Sequence, residues 1–149
     1  MKVPEPLFLI INPVMKFILR SPLHGIFSGS IMLITFTGRK SGRTFTTPVR
    51  YTRHGDNIRC YTITENKWWR NMVGGAEVTL RVAGREGRYS ATAIVDDYPL
   101  VRERLAEYLG IYPQDAAYHE VKVAADGSLV AEDLDRAASH AVVVEAKPL

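Results

Sequence analysis

The sequence has a single cysteine, Cys60, in 149 residues. An intrachain disulfide and a thiolate metal cage are both excluded. Long hydrophobic runs are also lacking. The longest, such as residues 7–11 and 31–34, hold only four or five residues, whereas a membrane-spanning helix needs about twenty. The start lacks the features of a signal peptide: Pro4 and Pro6 interrupt it, Asn12 ends its apolar run, and no small-residue cleavage site follows. These absences lead to the expectation of a cytoplasmic protein. Acidic residues are scarce over residues 1–95, which hold 14 basic and 5 acidic side chains, a net of +9. Residues 96–149 hold 5 and 11, a net of −6. The length is that of one domain at roughly 150 residues per domain, so residues 1–149 are read as a single domain.

Familiar catalytic signatures are missing. The four histidines, His24, His54, His119 and His140, are scattered and read as surface or capping residues. There is no Gly-x-Ser-x-Gly elbow to anchor hydrolase chemistry, and no glycine-rich turn inside a βαβ unit. The segment Gly38-Arg39-Lys40-Ser41-Gly42-Arg43-Thr44 shares residues with a P-loop, but its glycines stand one residue too close. Arg43 also occupies the lysine position, and a strand follows where a helix should.

The pattern that is present is mostly of period two. Residues 31–36 read as a buried strand. Phe45, Thr47, Val49 and Tyr51 alternate with Thr46, Pro48, Arg50 and Thr52, Gly55-Asp56-Asn57 reads as a hairpin turn, and residues 58–63 as a third strand. Thr64 is expected to cap a short helix carrying Trp68 and Trp69, stopped by Gly74-Gly75. Val78, Leu80 and Val82 form a fourth strand; residues 84–87 are expected to turn the chain into a fifth along Tyr89, Ala91, Ala93 and Val95. Asp97 is expected to cap a helix whose face is Val101, Leu105, Tyr108 and Leu109, ended by Gly110. Residues 112–121 read as a loop with a helical turn, residues 129–138 as polar and unassigned, and residues 141–145 as a last strand. At the other end, Asn12-Pro13 starts a helix with Val14, Phe17 and Ile18 on one face. Six short strands at about ten-residue spacing indicate a small barrel or sandwich.

The loop between the first two strands carries the clearest chemistry. Glycines let backbone N–H groups approach an anion, and Arg39, Lys40 and Ser41 add charge and a hydroxyl. Phosphate binding is the natural task of such a loop; a plain basic hairpin is the alternative.

Residues 34–42, Ile-Thr-Phe-Thr-Gly-Arg-Lys-Ser-Gly, followed by Thr46-Thr47-Pro48-Val49, resemble the deazaflavin (coenzyme F-420)-dependent nitroreductase family. The likeness continues at Gly55-Asp56, at Trp68-Trp69-Arg70-Asn71-Met72, at residues 74–78 and at Tyr112-Pro113 with Tyr118. It implies a mainly β (α+β) fold: a six-stranded split β-barrel, FMN-binding-like, with an N-terminal helical segment over residues 1–29 and flanking helices. By position it implies that Gly38, Arg39, Lys40, Ser41 and Gly42 bind the cofactor's phosphate and acidic tail, assisted by Arg43. Thr47, Pro48 and Val49 would line the cofactor along the second strand. Trp68, Trp69 and Asn71 would brace the pocket, with core packing the alternative for one tryptophan. Tyr112 and Tyr118 would border the substrate and serve as catalytic residues. An arginine common in the family is replaced here by Phe45, and a tyrosine of the late cluster by Asp115.

The implied activity is that of an oxidoreductase: reduced F-420 gives hydride to a quinone, enone or nitro compound, and the protein binds, orients and excludes water. Three other readings stay open. One is a split barrel holding FMN or haem, both anionic. Another is a non-catalytic carrier touching a membrane surface through its N-terminal helix. The third, a nucleic-acid module suggested by Arg50-Tyr51-Thr52-Arg53, lacks any recognised motif, so no nucleic acid is expected. A homodimer is expected, because small open barrels often cover an apolar face with a second copy.

Overall fold

Alternating side chains give a strand two faces; one face of this protein's strands fills the barrel, and in the last strand the other is covered by helices as well. The computed structural model describes residues 30–149. The expected N-terminal helix, with its Val14, Phe17 and Ile18 face, lies outside the described residues. Six antiparallel strands form a closed barrel: β1 (Ile31–Thr37), β2 (Thr44–His54), β3 (Asn57–Ile63), β4 (Ala76–Val82), β5 (Arg85–Ile94) and β6 (Ala141–Pro148). Their order around the barrel is β1-β2-β3-β6-β5-β4. This is the split β-barrel architecture that the sequence resemblance implied.

The apolar alternation fills two separate cores. Met32, Ile34 and Phe36 of β1, Val78, Leu80 and Val82 of β4, and Val142 and Val144 of β6 point into the barrel. Ala141 and Val143, the intervening β6 residues, point outward against two helices, α1 (Tyr98–Ile111) and α2 (Ala131–Ala138). This is why residues 141–144 are apolar without a break: both faces of β6 are buried. Ile34, Leu80, Leu105 and Val142 are fully buried, and each such side chain contributes about 1.5–3 kcal/mol.

The ends of α1 follow from local chemistry. The Asp97 side chain accepts from the Leu100 N–H, as expected of a cap, and Pro99 sits in the first turn, where a missing N–H costs nothing. The buried face is Val101, Leu105, Tyr108 and Leu109. Gly110 does not end the helix. It continues to Ile111, and the Tyr112 N–H closes the last turn on Tyr108 O at 2.9 Å. The polar stretch 129–138 contains α2. Leu134, Ala137 and Ala138 make a short apolar face at helical spacing, and the many charges stand on the rest of its surface.

Three local expectations are corrected. Thr64 does not cap the turn that follows: a 3-10 helix runs from Trp68 to Met72 with Lys67 at its start, and Thr64 bonds to Glu65 and to the His140 carbonyl. The β4–β5 turn is tighter than residues 84–87; it is made by Ala83 and Gly84, with φ of 51° and 79°. Two positive φ angles in a two-residue hairpin match the twist of the strands. Finally, His119 is not a surface residue. It is buried, with its ring edge-on to Tyr108 and Tyr118.

The ladder around β2 is irregular. The first seven residues of β2, Thr44 to Arg50, pair with β1 only, and the last four, Tyr51 to His54, pair with β3. Residues 61–63 of β3 pair with β6 alone. Among the described residues, the first part of β2 therefore has no strand along one edge. The bond from Tyr51 N–H to Ser30 O at 2.9 Å fixes the parity of the ladder. Odd-numbered β2 residues bond toward β1, and Thr46, Pro48 and Arg50 turn their main-chain groups toward the unpaired edge. Pro48, with no N–H to give, sits where a β3 ladder would need a donor.

Candidate functional site

The loop between β1 and β2 is closed on itself and then tied to a distant turn. Gly38 N–H donates to Arg43 O at 2.8 Å and Gly42 N–H to Gly38 O at 2.9 Å. A Cβ at Gly38 would lie 2.8 Å from Ser41 Oγ and 2.9 Å from the Phe45 ring, so one or both of these side chains would have to shift. Gly42 has a φ of 69°, a conformation glycine adopts without strain. Ser41 Oγ accepts from the Arg43 N–H at 3.2 Å.

Arg39 reaches across to the 3-10 turn twice. Its main-chain N–H donates to Asn71 Oδ1, and its Nη1 to Arg70 O, both at 2.8 Å. Asn71 in turn donates from Nδ2 to Trp68 O at 2.8 Å, so its whole amide is used in joining loop to turn. Between them lies a cavity of about 620 Å³, within the usual range for small-molecule sites. It is lined by Gly38, Arg39, Lys40, Ser41, Phe45, Lys67, Arg70 and Asn71. Four of these eight are cations and none is an acid. The amides of Lys40 and Ser41 have no hydrogen-bond partner among the described residues.

The structure thus brings Gly38, Arg39, Lys40, Ser41 and Asn71 together and leaves other expected residues elsewhere. Gly42 shapes the loop without lining the cavity. Arg43 is also outside the lining; its guanidinium lies over the Phe45 ring, 5.7 Å from the centroid. Phe45 stacks on Phe36 at 5.7 Å, and Trp68 meets the same Phe36 at 6.0 Å. Trp69 is buried in the barrel core, its Nε1 without a partner among the described residues, with Arg70 over its ring. Both tryptophans thus pack on the barrel core, Trp69 within it and Trp68 at its margin, and neither lines the cavity. Thr47, Pro48 and Val49 follow on β2, half-buried beside the unpaired edge.

Lys67 and Arg70 are the residues that the sequence reading missed. They flank the Trp-Trp and Asn positions, and their cue was the charge of the segment, Lys67-Trp-Trp-Arg70.

Tyr112 and Tyr118 do not line the basic cavity. They belong to a polar-aromatic cluster over β2 and β3. Asp115 Oδ2 accepts from Arg50 Nε at 2.6 Å and from the Tyr108 hydroxyl. Arg50 lies over the Tyr112 ring, 4.9 Å from its centroid. Tyr108 stacks on Tyr61 at 4.1 Å with an angle of 5° between planes. Burial, then the Asp115 carboxylate at its hydroxyl, pushes the Tyr108 phenol well above its ordinary range. Tyr118 reaches the cavity's border indirectly: Asn66, beside Lys67, contacts its hydroxyl at 2.9 Å and Thr62 Oγ1 at 2.8 Å. Among the described residues no cluster of His, Cys, Asp or Glu could hold a metal, and no helix is long and apolar enough to cross a membrane.

Residues 21–125 match the model of the family described as F420H(2)-dependent quinone reductase. The chain belongs to that family. It is an oxidoreductase built on a deazaflavin- or flavin-binding split barrel. Among solved structures it is similar to a chain described as a domain-swapped dimer, at 14% identity, covering 95% of this chain and 99% of that one, with a TM-score of 0.52. It is also similar to a NimC/NimA family protein from Clostridium acetobutylicum, at 12% identity, covering 78% and 72%, with a TM-score of 0.50. At these identities the likeness is one of fold. A search of the curated proteins finds no match.

Proposed function

We propose that the protein is an F-420-dependent oxidoreductase that reduces a small organic acceptor: a quinone, an enone or a nitro compound. The observation that carries this reading is the cavity with four cations and no acid in its lining, set at the start of a strand whose first seven residues have no second strand beside them among the described residues. F-420 carries a phosphate followed by an acidic tail, whereas FMN ends in one phosphate. Arg39, Lys40, Lys67 and Arg70 fit the more highly charged ligand.

In this reading Gly38, Arg39, Lys40 and Ser41 hold the phosphate through main-chain N–H groups, charge and a hydroxyl, and Lys67 and Arg70 hold the tail. Gly42 keeps the loop in shape, and Arg43 supports it through Phe45. Thr47, Pro48 and Val49 carry the ring system along β2, where the unpaired main-chain edge offers donors and acceptors to a flat heterocycle. Asn71 fixes the loop, Trp68 walls the ring side through Phe36, and Trp69 supports the turn from the core. When bound, reduced F-420 supplies the hydride. The chain's part is to orient the acceptor over the ring and exclude water, with Tyr112 and Tyr118 at the acceptor side.

Titration of the purified protein with F-420, FMN and haem in parallel tests the reading. Micromolar affinity for F-420, weaker binding of the other two, and a steep fall with added salt are expected. Preference for FMN or haem, or no binding of F-420, would overturn it. The double variant Lys67→Ala/Arg70→Ala should lose more affinity for F-420 than for FMN.

A further inference from the structure

Among the described residues, Arg50 is the one cation of β2 that a carboxylate from another element holds at the unpaired edge. It stands two residues beyond Pro48, on the same outward face of the strand, about 7 Å further along. Its main chain belongs to the edge that β3 leaves open. Its side chain is neither buried nor loose, being 25% exposed. Asp115 holds its Nε at 2.6 Å, and Tyr108 donates to the same carboxylate oxygen. The guanidinium carbon lies over the Tyr112 ring, 4.9 Å from its centroid, and Tyr112 also meets Tyr108 at 5.9 Å. A guanidinium has five N–H donors. Nε is the one committed to Asp115, and the Nη groups complete a fixed fork. No carboxylate but Asp115 bonds to it among the described residues.

We infer that Arg50 is a catalytic residue for the acceptor, its guanidinium receiving the oxygen on which negative charge develops as hydride arrives, with Asp115 as its positioning residue. The inference rests on the F-420 reading above. The acceptor class follows from the chemistry: a compound whose reduction leaves an oxyanion, a quinone carbonyl above all. The acceptor gains a hydride, two electrons and one proton, from the reduced deazaflavin. One quinone oxygen then carries the negative charge, and a proton from solvent completes the hydroquinone. A permanently charged fork held in place before the acceptor arrives would lower the barrier without reorganising. Asp115 fixes where the fork points, and the Tyr112 ring packed against the guanidinium holds it there.

The test uses the full chain with F-420 and a soluble benzoquinone or naphthoquinone. Arg50→Gln should leave F-420 affinity within about twofold and lower kcat about 100-fold, the usual loss on removing an oxyanion donor. Arg50→Lys should recover part of that loss, because charge remains while the fork is gone. Asp115→Asn should raise acceptor KM and lower kcat with F-420 affinity unchanged. Across a series of quinones, the Arg50→Gln loss should grow as the hydroquinone anion becomes more basic; a purely structural arginine would give one constant loss. Unchanged kcat in Arg50→Gln, or equal loss of F-420 binding and rate, would overturn the inference alone. Failure of the unaltered protein to bind F-420 would overturn it together with the reading beneath it.

Discussion

The main-chain N–H of Arg39 donates to the Oδ1 of Asn71, 2.8 Å away and 32 residues later in the chain. The loop with the strongest positive charge is thus held by the side chain of a short 3-10 turn. Asn71→Ala removes both this acceptor and the donor to Trp68 O. The expected cost is about 1–2 kcal/mol in a urea or thermal melt, the range for lost hydrogen bonds of this kind. F-420 affinity should fall about tenfold with every cation still in place, on the scale where each 1.4 kcal/mol is tenfold.

Cys60 is fully buried, and desolvation lifts its thiol from 9.0 to about 12. The native protein should therefore resist thiol reagents at pH 8, and one thiol per chain should react once denaturant is added. Rapid labelling without denaturant would contradict the burial.

Burial also raises the phenols of Tyr51, Tyr61 and Tyr108. A raised acid keeps its proton in the folded state while the unfolded chain loses it. The unfolded state then binds fewer protons, and stability falls as pH rises. The contribution is fully present below pH ~10 and is lost above the ordinary phenol range. Denaturant midpoints should hold between pH 7 and 9 and drop by pH 11. Tyr108→Phe should reduce that alkaline loss while costing about 1–3 kcal/mol at pH 7, since Asp115 loses a donor.

Ala83 takes a φ of 51° in the β4–β5 turn. An L residue with a Cβ is disfavoured there by about 1–2 kcal/mol. Glycine removes that cost and adds some chain entropy to the unfolded state. Ala83→Gly should raise the melting temperature slightly and leave cofactor titration unaltered, because the turn has no contact with the basic cavity.

The strands were legible because their inward positions repeat at two, and β6 because both of its faces are apolar. Asp97 was legible as a cap because a short carboxylate before a proline-containing first turn has few other uses. Gly110 misled because α1 closes through Tyr112, a main-chain bond with no sequence signature. The α2 helix was hidden by its charges, which outnumber the three apolar residues that dock it. The loop residues Gly38, Arg39, Lys40 and Ser41 declared themselves by composition. Lys67 and Arg70 did not, since a tryptophan pair between two cations reads first as packing. Tyr112 and Asp115 follow closely after α1, Asp115 in a 3-10 turn at Pro113–Asp115, and only the closed fold brings Arg50 of β2 to them.

An unpaired strand edge is an invitation to any extended chain, including another copy of the same protein. Among the described residues the first part of β2 has such an edge, and Pro48 stands within it. An incoming strand would find a donor missing where its own carbonyl needs one, while a flat ring that asks for fewer contacts meets no such refusal. One imino acid thus separates what is welcome at this edge from what is not, and Pro48→Val should increase concentration-dependent self-association.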